Sequence, residues 1–185
     1  MGVLTDYFRA PDAAAVARAL ELTGGARPEF RAGPGGGFDD GGSEAGGFDG
    51  DIGRAFDGIE AKRVDPDVVL GQLVAAIRAE PWRVDLVAEV PVWPTTPPPG
   101  PDGPAGGEDD PWATGPWVTE LDEATRDALA GVADDRIPEA VRRWAEAEEW
   151  DGADPTDLLP LAEELIALAR RARAAGERLY CWICL

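Results

Sequence analysis

The sequence predicts a single α+β domain: a small sheet including the N- and C-terminal strands, packed with several helices. Three observations carry this prediction. The last seven residues, Leu179-Tyr180-Cys181-Trp182-Ile183-Cys184-Leu185, hold no charge. Such a run reads as a strand covered on both faces, hence near the middle of a sheet. Before it, Leu158, Leu161, Leu165, Leu168 or Ala169, and Ala172 recur at steps of three and four and line one face of a helix. Finally, 185 residues with a 44% apolar fraction and seven tryptophans suffice for one core.

Taken in order, Val3 to Arg9 suits a short strand, with Leu4, Tyr7 and Phe8 as its apolar content; it is the expected neighbour of the C-terminal strand. Pro11 and Asp12 open a helix through Leu22, which Gly24 and Gly25 end. Gly25 to Gly50 is rich in glycine and aspartate without periodicity and is expected to be a flexible insert. Gly58 to Val64 suits extended chain. Asp65-Pro66 starts a helix whose buried face is Val69, Leu70, Leu73, Val74 and Ile77, and Glu80-Pro81 ends it. Val84 to Trp93 places Val84, Leu86, Ala88, Val90 and Val92 on one parity and predicts a strand. Pro94 to Pro116 is a second flexible insert, with Pro97-Pro98-Pro99 in polyproline II form. Thr119 and Asp122 form a capping pair for a helix through Val132. Pro138 opens another to about Trp150, with Val141, Trp144 and Ala145 inward. In the final helix Asp157 is the N-cap, Pro160 falls in the first turn and Gly176 is the stop.

The net charge is −19, from 36 acidic and 17 basic residues. A chain this acidic repels phosphate, which disfavours nucleic acid and anionic membrane surfaces as partners. A basic protein is allowed and would be steered by the field; solubility is the blander account of the same charge. No run approaches the length of a membrane span, and Met1 to Arg9 lacks the pattern of a signal peptide. The expected location is the cytoplasm, with reduced thiols.

The missing residues narrow the chemistry further. There is no histidine and no asparagine; Ser43 is the only serine, Gln72 the only glutamine and Lys62 the only lysine. A Ser-His-Asp or Cys-His arrangement is therefore impossible within one chain, as are histidine metal sites. Catalysis would fall to carboxylates, Tyr7, Tyr180, the thiols or arginines. No catalytic residue, cofactor or metal ligand is assigned.

Three motifs remain. Cys181-Trp182-Ile183-Cys184 has the C-x-x-C spacing, but a strand holds these Cα atoms about 10 Å apart on opposite faces, beyond disulfide reach. Two buried structural thiols are expected. Asp49 to Glu60 carries acids at positions 1, 3, 9 and 12 of an EF-hand-like loop, with Gly53 and Arg54 at positions 5 and 6, where an oxygen ligand and a glycine belong. A flexible acidic loop is the stronger reading. Trp144, Glu146, Glu148, Glu149, Trp150 and Asp151 form an acidic-aromatic stretch. From it Trp150, Glu146, Glu149 and Asp151 are taken as the candidate partner surface, against packing of the tryptophans in the core.

Met1-Gly2, Tyr7-Phe8-Arg9, Gly115-Pro116-Trp117-Val118-Thr119 leading into a Leu121 helix, a helix ending Ala174-Ala175-Gly176 and the strand Leu179 to Leu185 follow one another in an order that resembles the YfbM-like family of small bacterial proteins, a domain of unknown function. The resemblance covers both ends of the chain. It implies a compact α+β fold and supplies no functional residues. The family's Asp-x-Asp-Lys-x-Trp-His helix is echoed only around Ile59 to Ile77, without Trp or His. The functional expectation is a non-enzymatic protein-interaction module with an acidic surface, immunity-like in its sharpest form. The alternative is a carboxylate-based hydrolase or small-ligand-binding domain.

Overall fold

The structure, a computed structural model, describes residues 3–31, 56–100 and 110–185. The chain runs β1 (Leu4–Ala10), α1 (Ala13–Thr23), β2 (Phe30–Arg31), β3 (Phe56–Glu60), a π turn (Pro66–Leu70) continuing into α2 (Gly71–Arg78), β4 (Glu89–Trp93), α3 (Pro111–Thr114), β5 (Trp117–Leu121), α4 (Glu123–Gly131), α5 (Ile137–Trp144), α6 (Pro155–Ala175) and β6 (Arg178–Cys184). Short 3-10 turns lie at Asp134–Arg136 and Glu148–Trp150.

Among the described residues the strands form one sheet in the order β2-β3-β1-β6-β5-β4. All neighbours are antiparallel except the two-residue β2, which runs parallel to β3. The fold is the predicted α+β domain, and the terminal strands pair as expected, with Tyr7 opposite Cys181 and Phe8 opposite Tyr180. Alternation along β1 and β6 sends side chains to two cores. Tyr7, Leu179 and Cys181 join the core under α2, α4, α5 and α6. Phe8, Tyr180 and Trp182 join the core under α1, where Phe8 stacks on Tyr180 at 5.5 Å between ring centroids. Burial on both sides explains why β6 carries no alternation of polar residues.

Several boundaries differ from the sequence reading. Thr119 lies in β5, an unexpected strand, and Asp122 alone caps α4 by accepting from the Thr125 N–H at 3.2 Å. The open edge of β6 supplies a ladder for Trp117–Leu121, so tertiary pairing overrides the local cap signal. β4 begins at Glu89 rather than Val84, because Asp85 adopts a positive φ of 69° and interrupts the extension. Val84 is exposed while Leu86 and Val87 are both buried, which period-two alternation forbids. β3 starts at Phe56 and stops at Glu60. α5 ends at Trp144. The N-cap of α6 is Asp154, followed by Pro155, so Pro160 lies inside the helix. The inner parts of both predicted inserts, 32–50 and 101–109, fall outside the described residues, as do 51–55. Their flanks supply β2 and α3.

Candidate functional site

The site is assembled around the start of α2. Asp65 caps the π turn by accepting from the Val68 N–H at 2.8 Å, and the Leu70 N–H reaches back to the Asp65 carbonyl at 2.9 Å. A turn this wide is uncommon and recurs at functional positions. It leaves Asp67 exposed and brings Gly71 under the indole of Trp82. A Cβ on Gly71 would stand 2.9 Å from Trp82 Nε1. That Nε1–H donates to the Asp67 carbonyl at 3.2 Å, and Trp82 stays 38% exposed.

The acidic-aromatic stretch meets the same turn from the other side. The buried Trp144 donates its Nε1–H to the Val69 carbonyl at 2.8 Å. Trp150 packs edge-on against Trp144, with ring centroids 4.7 Å apart. Gln72 Nε2 donates to Glu149 Oε2 at 2.8 Å. Glu146 and Asp151 are exposed, the latter in left-handed backbone at φ 48°. Trp150, Glu146, Glu149 and Asp151 thus gather at one corner, with Trp150 as a half-buried support. Trp150 Nε1 and Gln72 Oε1 are buried there without a hydrogen-bond partner. The most exposed indole at the corner belongs to Trp82, outside the predicted set.

The charges of the corner are scarcely neutralised. Among the described residues Asp67, Glu148, Glu149, Asp151, Asp154 and Asp157 make no ion pair, and Glu146 has only Arg142 at 3.6 Å. At the junction of β1, β3 and α6 the acids are matched. Asp57 takes Arg171 through two bonds of 2.7 and 2.8 Å and Arg9 through a third at 2.7 Å. Arg9 also reaches Glu177, and Arg27 bridges Asp6 and Glu60.

Behind Asp67 lies Glu89 at the edge of the sheet. The Thr119 hydroxyl donates to its carboxylate, and the Asp67 carboxyl is within hydrogen-bonding reach. Burial, reinforced by Asp67 and Asp65 and opposed by the Thr119 hydrogen bond, pushes Glu89 up to about 7. The Glu89 carboxyl therefore loses its proton near neutrality. Deeper still are Tyr7, whose hydroxyl donates to the Val64 carbonyl at 2.8 Å, and Cys181. Burial raises both groups well above their ordinary values, so Cys181 stays a thiol and is a poor nucleophile.

The other motifs resolve simply. Cys181 and Cys184 are free and belong to opposite cores, and Cys184 is only half-buried, in contrast to the two buried thiols expected. Its place near the end of β6, beside the exposed Leu185, leaves one side uncovered. Of the EF-hand-like stretch, 49–55 lies outside the described residues; Asp57 and Glu60 lie in β3 and face arginines. Among the described residues no group of three His, Cys, Asp or Glu side chains could hold a metal ion, and no helix is long and apolar enough to cross a membrane. A groove of about 560 Å³ lies at the far end of α2, lined by Ile77, Arg78, Ala128, Val132 and Arg136 among others. Comparison with family models, with curated proteins and with solved structures gave no match.

Proposed function

We propose that the protein is a non-enzymatic interaction module that binds a basic protein through the acidic corner formed by Asp67, Glu146, Glu148, Glu149 and Asp151. One observation carries the reading: among the described residues Asp67, Glu148, Glu149 and Asp151 make no ion pair and Glu146 has only a 3.6 Å contact with Arg142, whereas the acids at the β1, β3 and α6 junction face arginines. Unpaired surface carboxylates on a fixed scaffold raise the association rate of a cationic partner, and salt lowers it. Blocking the basic surface of a partner, as an immunity protein does, is the sharpest form of this role. A cytoplasmic setting and kinship with YfbM-like proteins belong to the same proposal.

The test is capture from native extract at low and moderate salt. The parent chain is compared with Glu146→Gln/Asp151→Asn and with a control of equal charge on the α1 side, Glu21→Gln/Glu29→Gln. A basic protein retained by parent and control but lost with the corner variant is the expected result. Equal retention by both variants would remove the corner from the account.

A second reading rests on Glu89 and Asp67, a carboxyl pair with one member near neutrality, as carboxylate hydrolases require. Its signature would be turnover of an ester or glycoside that disappears in Glu89→Gln.

A further inference from the structure

Trp82 is the one large aromatic side chain among the described residues that is both substantially exposed and held in place. Its pyrrole edge rests on Gly71, where no side chain intervenes, and its Nε1–H is bonded to the Asp67 carbonyl. With that edge occupied, the residue as a whole remains 38% exposed. A seated indole loses little freedom when something lands on it, so its contact surface is preorganised. Asp67 belongs to the turn that holds the ring, is exposed, and has no cationic partner among the described residues. Through Gly71 and Gln72 the ring connects to Glu149 on the other side of the turn.

From this juxtaposition we infer that Trp82 and Asp67 form a receptor for an arginine side chain of the basic partner, the guanidinium lying on the indole face and directing its N–H groups to carboxylate. The inference rests on the proposed basic partner and adds the chemistry of its anchor. Arginine fits better than lysine for two reasons. Its planar cation stacks on an indole while keeping its edge donors free, and those donors match a carboxylate as a fork. An ammonium would satisfy the charge but not the stack.

Gly71 provides a test that alters neither the ring nor any charge. Its backbone is helical, with φ −55°, so alanine is otherwise welcome there; its Cβ would displace the indole. Binding of hexa-arginine and hexalysine peptides at low salt is measured by titration calorimetry for the parent, Gly71→Ala, Trp82→Phe and Trp82→Leu, with thermal unfolding as the check on folding. The parent should bind the arginine peptide about tenfold more tightly than the lysine peptide. Gly71→Ala and Trp82→Leu should reduce that preference to about twofold or less, and Trp82→Phe should retain part of it. Equal affinity of the parent for the two peptides, or an undiminished arginine preference in a folded Trp82→Leu, would overturn the arginine receptor while leaving the acidic corner in place. Failure of the parent to bind either peptide would count against the basic-partner reading itself.

Discussion

The junction of β1, β3 and α6 and the corner at the start of α2 use the same residue type to opposite ends. At the junction Asp57 sits between Arg171 and Arg9, and Arg9 reaches on to Glu177. Burial alone would raise the Asp57 carboxyl, but the two guanidiniums outweigh it and hold it below the ordinary value. At the corner Glu89 makes no ion pair among the described residues; burial and the neighbouring Asp67 and Asp65 push it up to about 7. A net charge of −19 is therefore not a uniform coat. The acids that close the sheet at this junction are paired, whereas Asp67, Glu148, Glu149 and Asp151 make no ion pair among the described residues.

The two regions should respond oppositely to substitution and to pH. The largest effect is expected from Trp144→Ala, which removes the scaffold of the corner without touching a charge. A fully buried Trp that also bonds the Val69 carbonyl should cost about 3–5 kcal/mol, read from denaturant unfolding. Next is Asp57→Ala, which leaves Arg9 and Arg171 facing each other without a carboxylate. About 2–3 kcal/mol is expected for this half-buried network, somewhat below a fully buried pair. Because the folded state holds the Asp57 carboxyl below its ordinary value, its contribution is present above about pH 4 and lost as pH falls further. A loss below about 0.5 kcal/mol would mean the pairing is decorative, a threshold set by exposed ion pairs.

Glu89→Gln should act with the opposite sign. The folded state raises the Glu89 carboxyl, so the stability this group contributes is full below about pH 4.5 and lost as pH rises through about 7. At pH 8 the ionised carboxylate is a burden, and glutamine, which still accepts from Thr119, should stabilise the protein. Each tenfold gain in proton affinity on folding corresponds to about 1.4 kcal/mol; with an allowance for solvent screening, about 1–2 kcal/mol is expected. Melting curves at pH 5 and pH 8 should converge in the variant and differ in the parent. The smallest effect is Glu146→Gln/Asp151→Asn, where removal of exposed, weakly paired charge should change stability by less than about 0.5 kcal/mol. A large loss there would make the corner structural.

Much of the fold was legible because β1, β6 and α6 carry periodic or uninterrupted apolar patterns that any packing must bury. Asp12, Asp65 and Gly176 marked helix boundaries correctly through local chemistry. β5 was not legible, since Trp117–Leu121 becomes a strand only beside β6 and abuts a strong cap at Asp122. The acids of the corner were visible as a run, but their isolation from arginine was not, because pairing partners such as Asp57 and Arg171 lie 114 residues apart. Nor was the seat of Trp82, made by a carbonyl 15 residues earlier. The usable signals were Gly71 in the middle of a predicted helix, which calls for a close-packed neighbour, and a tryptophan directly after the helix-ending Pro81.

The concentration of uncompensated charge can be measured without any partner. Amide relaxation is recorded by NMR in the presence of a cationic and then an anionic paramagnetic nitroxide, and the ratio maps the surface potential residue by residue. The account predicts the strongest cation preference at Asp67 and Glu148–Asp151 and a much weaker one around Asp57, Glu60 and Glu177, where arginines stand beside the acids. An equal cation preference in the two regions would contradict this.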